Sequence, residues 1–425
     1  MASKELRPTL GTGVPKTRKR NIQTKLDPDT FRTRLFEELE KHGISATIIS
    51  PLSSDEFDYH RYGEVFCEVM LAGNIVEPGG AVRTNPPPTE HCVFAAKNSD
   101  AVLAVVDIMH QLMRRKPFLR ARYDLVFTKL LSCLAVFEEV PRANLAVAIA
   151  SMLERQMLSP VVLKSLSSQS AIASGIALDF MTAIITSFLE QNNQSIDKLM
   201  ALLKSAGIDT GTMVNMMPSG SRSADALSEH FAALGLDKLV EQNERRVKAD
   251  KIRTLRDGIS ERLERLGAVP IEEVVQFVKT TREETGLTET ESVHAAWAGV
   301  VMSVNMSRKT QQNRTALLMA TQKGAPLLEQ VCASGAMQIV LIQQVQAYVS
   351  ADMELLKIAV FCDVINLLYR KDVLVEEAIL RWFRRGMRLE KGSAASSNII
   401  REQMIPFVKW LETAEEESEE EGEAA

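Results

Sequence analysis

LDPDTFRTRLFEELEKHG, Leu26–Gly43, carries helix signals at both ends. Asp27 offers a side-chain oxygen to the unpaired N–H groups of a first turn, and Pro28 falls where a missing N–H costs nothing. Gly43 supplies the stop. Between them Phe31, Leu35 and Leu39 recur every four residues, so one face is apolar and the others are charged. The spacing predicts an amphipathic helix that begins at Pro28 and ends before Gly43.

The same rhythm continues along the chain. Periodic runs of about 12 to 20 residues are interrupted by GNIVEPGG, NPPPTEH, Pro117, Pro141, Pro160, MMPSGSRS, Pro270, Gly286, Pro326 and Gly335, and strand-like alternation is scarce. Roughly twenty helices on short links predict an all-α fold: a HEAT-like α-solenoid of stacked antiparallel helix pairs. The best boundary lies near residues 235 to 250, where EQNERRVKADKIRTLRDGISERLERLGAVP is mostly charge, with i,i+4 pairs such as Glu241/Arg245 and Glu261/Arg265. This stretch is expected to be a solvated helix between two packed bodies, an N-terminal helical domain over 27–240 and a C-terminal one over 246–414.

The 425 residues, 45% hydrophobic and only 5% aromatic, suffice for two or three cores. A net charge of -5 conceals an uneven distribution. Residues 1–26 hold seven Lys/Arg and one acid, whereas 412–425 hold eight glutamates and no base. Segments 1–26 and 415–425 are expected to be disordered charged tails, because neither has enough apolar surface to offset the entropy of ordering. The sequence has neither an apolar run long enough to span a bilayer nor a secretory h-region, so a cytoplasmic protein with a minor nuclear pool is expected.

Catalytic and metal chemistry find little support. The cysteines Cys67, Cys92, Cys133, Cys332 and Cys362 are scattered through apolar text and read as reduced core thiols. The six histidines include no i,i+4 pair and no HExxH, so no metal site or cofactor is expected. LGTGVPKTRKR has Pro15 where a phosphate loop needs glycine, and no GxSxG is present. The cluster Lys16, Arg18, Lys19 and Arg20 could contact RNA or direct nuclear import, and it supports an alternative reading as a nuclear or RNA-associated adaptor. A DNA-reading zipper fails. Leu35 and Leu39 end at Gly43, and Ile252, Ile259 and Leu266 keep a heptad step for only two intervals.

The C-terminus is more informative. In FVKWLETAEEESEEEGEAA, Phe407–Ala425, a tryptophan runs directly into glutamates. On a helical wheel Ile400, Met404, Phe407 and Leu411 form one stripe, which leaves Trp410 on its edge with indole to spare. Pro406 either starts this helix or kinks it. A second segment, DVINLLYRKDVLVEEAILRWF (Asp363–Phe383), repeats the ingredients, with Ile379, Phe383 and Met387 as the stripe and Trp382 expected on its flank. Trp297, inside HAAWAGVVMSV, reads as core.

These two segments resemble the aromatic and acidic boxes that close the two-tryptophan (W-two) domain of initiation factor five and of the ε subunit of initiation factor two B. KTRKR, DPDTF, FDYHRYGEVF, the LAG…PGG turn, CVFAA and LMRR extend the resemblance over nearly the whole chain. They match the basic leucine zipper and W-two domain proteins, the initiation factor five mimics, whose zipper name rests on an early reading of sequence. The resemblance implies a C-terminal W-two domain and a non-enzymatic regulator of translation initiation. Such a regulator binds lysine-rich segments of the initiation factor two β subunit, contacts initiation factor three and competes with factor five, thereby tuning start-codon selection. Ribosomal RNA or the small ribosomal subunit would be a further partner. Factor five's zinc ribbon needs paired CxxC motifs, and this sequence has none, so activation of GTP hydrolysis is not expected.

By resemblance the first box maps to Tyr369, Asp372, Glu376, Glu377 and Trp382. The second maps to Phe407, Trp410, Leu411, Glu412, Glu415, Glu416 and Glu417. Between the boxes the chain departs from the family pattern with the basic stretch Arg381–Arg401, in which Arg384, Arg385, Arg388 and Lys391 are placed to compete for the glutamates.

Overall fold

The computed structural model describes residues 27–75, 90–191, 195–265, 270–304, 310–388 and 395–423. The tail 1–26, with its basic cluster Lys16, Arg18, Lys19 and Arg20, lies outside them. Every regular element among the described residues is helical, and the chain divides into two compact units, Met1–Leu227 and Ser228–Ala425.

The first unit contains α1 (Pro28–His42), α2 (Ile49–Leu52), α3 (Tyr59–Ala72), α4 (Ser99–Arg115), α5 (Leu119–Ser132), α6 (Glu139–Glu154), α7 (Gln169–Ala173), α8 (Ile176–Glu190), α9 (Ile196–Ser205) and α10 (Thr210–Val214). α11 (Ala224–Ala233) crosses the division. The second unit contains α12 (Asp237–Glu264), α13 (Ile271–Thr285), α14 (Glu289–Met302), α15 (Thr310–Val331), α16 (Gly335–Ser350), α17 (Met353–Lys357), α18 (Val360–Arg370), α19 (Glu376–Arg388) and α20 (Ala395–Glu423).

Each unit packs helices to their second neighbours: α1 on α3 on α5 and α4 on α6 on α8 in the first, α12 on α14 on α16 on α18 on α20 in the second. Several links, such as residues 116–118 between α4 and α5 and 332–334 between α15 and α16, are short enough to reverse the chain directly. Alternate helices therefore fall into one layer, and the apolar stripe of each faces both the next layer and its own.

α1 follows its sequence signals. Asp27 accepts the Thr30 N–H at 3.1 Å, Pro28 opens the helix, and Gly43 ends it at φ +59°. Phe31, Leu35 and Leu39 are buried, and so is Arg32, whose Nη2 donates to the Gly73 carbonyl at 2.9 Å. A guanidinium can enter this layer because that carbonyl would otherwise be left unpaired at the end of α3.

The charged stretch after residue 235 is not a solvated link. α12 buries Leu239, Leu255, Ile259 and Leu263 and lies tightly on α14. A Cβ added at Gly299 would meet the Arg256 carbonyl oxygen at 2.9 Å and Ile259 at 2.7 Å. Glycine there lets the two helix backbones approach, so α12 is an integral element of the second unit rather than a spacer beside it. Trp297, also on α14, is 3% exposed and lies edge-on to Tyr348 at 6.3 Å.

α20 starts at Ala395, passes through Pro406 and remains helical to Glu423. Its nucleus is fixed by packing of Ile400, Met404, Val408 and Leu411, and extending an existing helix costs far less than starting one, for which glutamate is a good residue. Pro406 is tolerated because it and Glu402, one turn earlier, are both exposed, so the carbonyl left without a partner faces water.

Candidate functional site

The site is assembled from the α18–α19 corner and the middle of α20. α18 ends in a tight reversal: Asp372 adopts the left-handed conformation at φ +59°, and the Val373 N–H returns to the Leu368 carbonyl at 3.0 Å. Val373 and Leu374 then drop into the core, and the Val375 N–H is held by Gln338 Oε1 at 2.9 Å. This turn leaves Asp372 exposed and starts α19 with Glu376 and Glu377 in its first turn, where the helix dipole favours carboxylates.

Tyr369, in the last turn of α18, connects the corner to α20. Its hydroxyl donates to Glu376 Oε1, and its ring stands edge-on to Phe407 at 5.9 Å and to Trp410 at 6.2 Å. Phe407 and Trp410 stack at 5.9 Å with planes 15° apart. Phe407 is 8% exposed and Trp410 is 53% exposed, so the indole is footed on two rings and open on its remaining surface. Leu411, at 0%, anchors the turn beneath. Glu412 is exposed and pairs with Arg384 Nη2 at 3.4 Å, and Lys409 is exposed beside Trp410. Glu415, Glu416 and Glu417 continue the helix, but their side chains lie outside the description, as do those of Arg388 and Lys391.

The hydrogen bond to Glu376, followed by burial and the charges of Glu376 and Asp372, pushes the Tyr369 phenol up to about 12. A phenol raised above its unfolded value of 10.0 contributes its full stabilisation below that pH and loses it as pH climbs through about 12. Tyr369→Phe is therefore expected to cost about 1 kcal/mol at neutral pH in chemical denaturation. Subtracting its alkaline phenolate titration from that of the wild type should leave one transition near 12. A difference transition near 10 would show that the hydroxyl does not hold Glu376.

Trp382 corrects the sequence reading. It is 7% exposed, not a flank residue: its Nε1 donates to Gln346 Oε1 at 3.1 Å and its ring lies 5.2 Å from that of Phe361. The wheel assumed one neighbour for α19, but α19 packs against both α16 and α20, which widens its buried face to include Ala378, Ile379, Leu380 and Trp382. The two tryptophans thus do different work: Trp382 fixes α19, and Trp410 is displayed. The sequence reading missed Gln338 and Gln346. Both glutamines interrupt the apolar run GAMQIVLIQQVQAYVS, and a glutamine on such a helix needs a partner.

Among the described residues no group of His, Cys, Asp and Glu could hold a metal ion, and no helix is long and apolar enough to cross a membrane. The five cysteines are free thiols. Burial pushes Cys67 well up and Cys332 up to about 12, so both stay protonated.

Second-neighbour helix packing defines a helical-repeat scaffold, and near its C-terminal end an indole is displayed beside carboxylates. Residues 15–253 match the model of the 5MP1/2 HEAT domain, and residues 337–421 match the W2 domain of eIF4-gamma, eIF5 and eIF2-epsilon. Over 428 residues, 99% of each chain, the protein is 28% identical to eIF5-mimic protein 1 of Homo sapiens and of Rattus norvegicus. It is also 28% identical to eIF5-mimic protein 2-A of Danio rerio over 426 residues, 99% of this chain and 98% of that one. The chain belongs to the 5MP1/2 HEAT family, that of the eIF5-mimic proteins, and is a regulator of translation initiation related to eIF5. The family is a regulatory rather than a catalytic kind.

Proposed function

We propose that the Trp410 face binds lysine-rich segments of the initiation factor two β subunit, that the chain also contacts initiation factor three, and that it thereby competes with factor five and tunes start-codon selection in the cytoplasm, without catalysing a reaction. The observation that carries this reading is the indole of Trp410, exposed by 53% yet held by Phe407 and Tyr369, with Asp372, Glu376, Glu377 and Glu412 on the same two segments. A lysine stem can lie on such a ring while its ammonium pairs with a carboxylate. Exposed ion pairs contribute only about 0.2 to 1 kcal/mol each, whereas micromolar binding needs about 8 kcal/mol. Many glutamates must therefore act together on an aromatic anchor, and the surplus of negative charge comes from Glu415, Glu416, Glu417 and those that follow.

Calorimetric titration of the full chain with the lysine-rich β-subunit segment tests this. The wild type should bind with micromolar affinity in dilute buffer and weaken steeply as salt screens the charges. A chain lacking residues 412–425 should bind at least about tenfold more weakly, with a flatter salt dependence. Equal affinity and equal salt slope in the two chains would remove the acidic end from the site.

A further inference from the structure

We propose that the corner between α4 and α5 in the first unit is a docking surface for single-stranded RNA. Residues 114–122 contain Arg114, Arg115, Lys116, Arg120 and Arg122 and no acid. The turn that joins the helices folds onto the start of α3: the Lys116 ammonium lies 5.2 Å from the Tyr59 ring centroid, and Arg122 Nη2 donates to the His60 carbonyl at 3.5 Å. These contacts bring Lys116, from the turn, and Arg122, from α5, to the start of α3. Of the neighbouring carboxylates Glu64 is ion-paired, whereas Asp58 and Asp124 accept backbone N–H bonds and keep their charge. Glu64 takes Arg122 at 3.1 Å and Lys129 at 2.8 Å, Asp58 accepts the Arg61 N–H at 3.3 Å, and Asp124 accepts the Ser159 N–H at 2.8 Å. Among the described residues Arg114 and Arg120, both exposed, form no ion pair.

A flat ring distinguishes this corner from a simple cationic patch. His60 stacks on Phe118 with centroids 3.9 Å apart and planes 14° from parallel. Phe118 is half-buried and His60 is exposed, so the imidazole keeps an open face beyond Phe118. Arginines beside an open stacked ring are what an unpaired base and its phosphates require: the base continues the stack and the guanidiniums take the backbone. An acidic peptide would use the cations and leave the ring idle, and duplex RNA keeps its bases stacked on one another.

The test measures binding of a fluorescent single-stranded oligoadenylate of about a dozen nucleotides to the full chain, in a background with Lys16, Arg18, Lys19 and Arg20 all changed to alanine so that the other basic cluster cannot contribute. Arg114→Glu/Arg120→Glu should weaken binding about tenfold or more at low salt and reduce the slope of log K against log salt by about 1.4, two phosphate contacts at about 0.7 each. His60→Ala should weaken it about fivefold or more and leave that slope unchanged, as a lost stack does. Should the double reversal melt below its parent, Arg114→Gln/Arg120→Gln should show the same direction at a smaller size. Parental affinity in the arginine variants would overturn the proposal. So would an unaffected His60→Ala together with displacement of the RNA by oligoglutamate of equal charge, which would make the corner an acidic-peptide site.

Discussion

Trp410→Ala should lower the affinity of the full chain for the lysine-rich β-subunit segment by about ten- to a hundredfold, while the thermal midpoint of the second unit barely moves. Two circumstances set these sizes. The indole is half exposed, so truncation opens no cavity, and the stripe beneath it (Met404, Phe407, Val408, Leu411) remains packed. In binding, by contrast, the ring supplies what the carboxylates cannot: a desolvated apolar contact for lysine stems, with a cation–π term of about 0.5 to 2 kcal/mol added to the area buried. Salt dependence should be nearly that of the wild type, because every charge is still present. A variant that lost affinity and flattened its salt response together would show that the indole acts by arranging the glutamates rather than by contact. Calorimetry at two ionic strengths, paired with a melt, separates these outcomes.

Trp382→Ala should have the opposite profile. Removing a nearly buried indole forfeits its packing against Phe361 and Phe383, leaves a cavity between α16 and α19, and removes the hydrogen bond to Gln346 Oε1. Large aromatic truncations in a core cost about 3 to 5 kcal/mol, and the lost part-buried hydrogen bond adds about 1 kcal/mol. That is a large share of the stability of a unit this size, so the denaturation midpoint should fall sharply, and peptide binding with it, but only in proportion to the unfolded fraction. Near the wild-type midpoint the assignment of Trp382 to the core would fail. Trp382→Phe should recover most of the stability while the bond to Gln346 Oε1 stays lost, which divides the packing cost from that of the hydrogen bond.

What the sequence disclosed and what it concealed follow one rule. Signals confined to a single helix were legible: Asp27, Pro28 and Gly43 bound α1, and the edge position of Trp410 follows from the stripe beside it, because one face of α20 meets the core. Features set by a second neighbour were not. Trp382 is buried because α19 lies between two helices, and a wheel drawn for one partner places it outside. α12 reads as solvated because its charges outnumber its apolar positions, yet Ile259 faces a glycine on α14 that only the fold brings opposite. Arg32 reads as a surface cation, and the carbonyl that takes it in lies forty-one residues away. The corner at Phe118 belongs to the same class. Its cations are contiguous in sequence, but the ring that gives them chemical character comes from α3.

The unbroken course of α20 joins two tendencies that oppose each other. The backbone carbonyls at its far end already carry partial negative charge, and the chain places glutamate after glutamate there, each repelling both the next and the terminus itself. Helicity at this end is therefore held against its own electrostatics. A lysine-rich segment of the kind proposed above would spend part of its binding energy on easing that opposition.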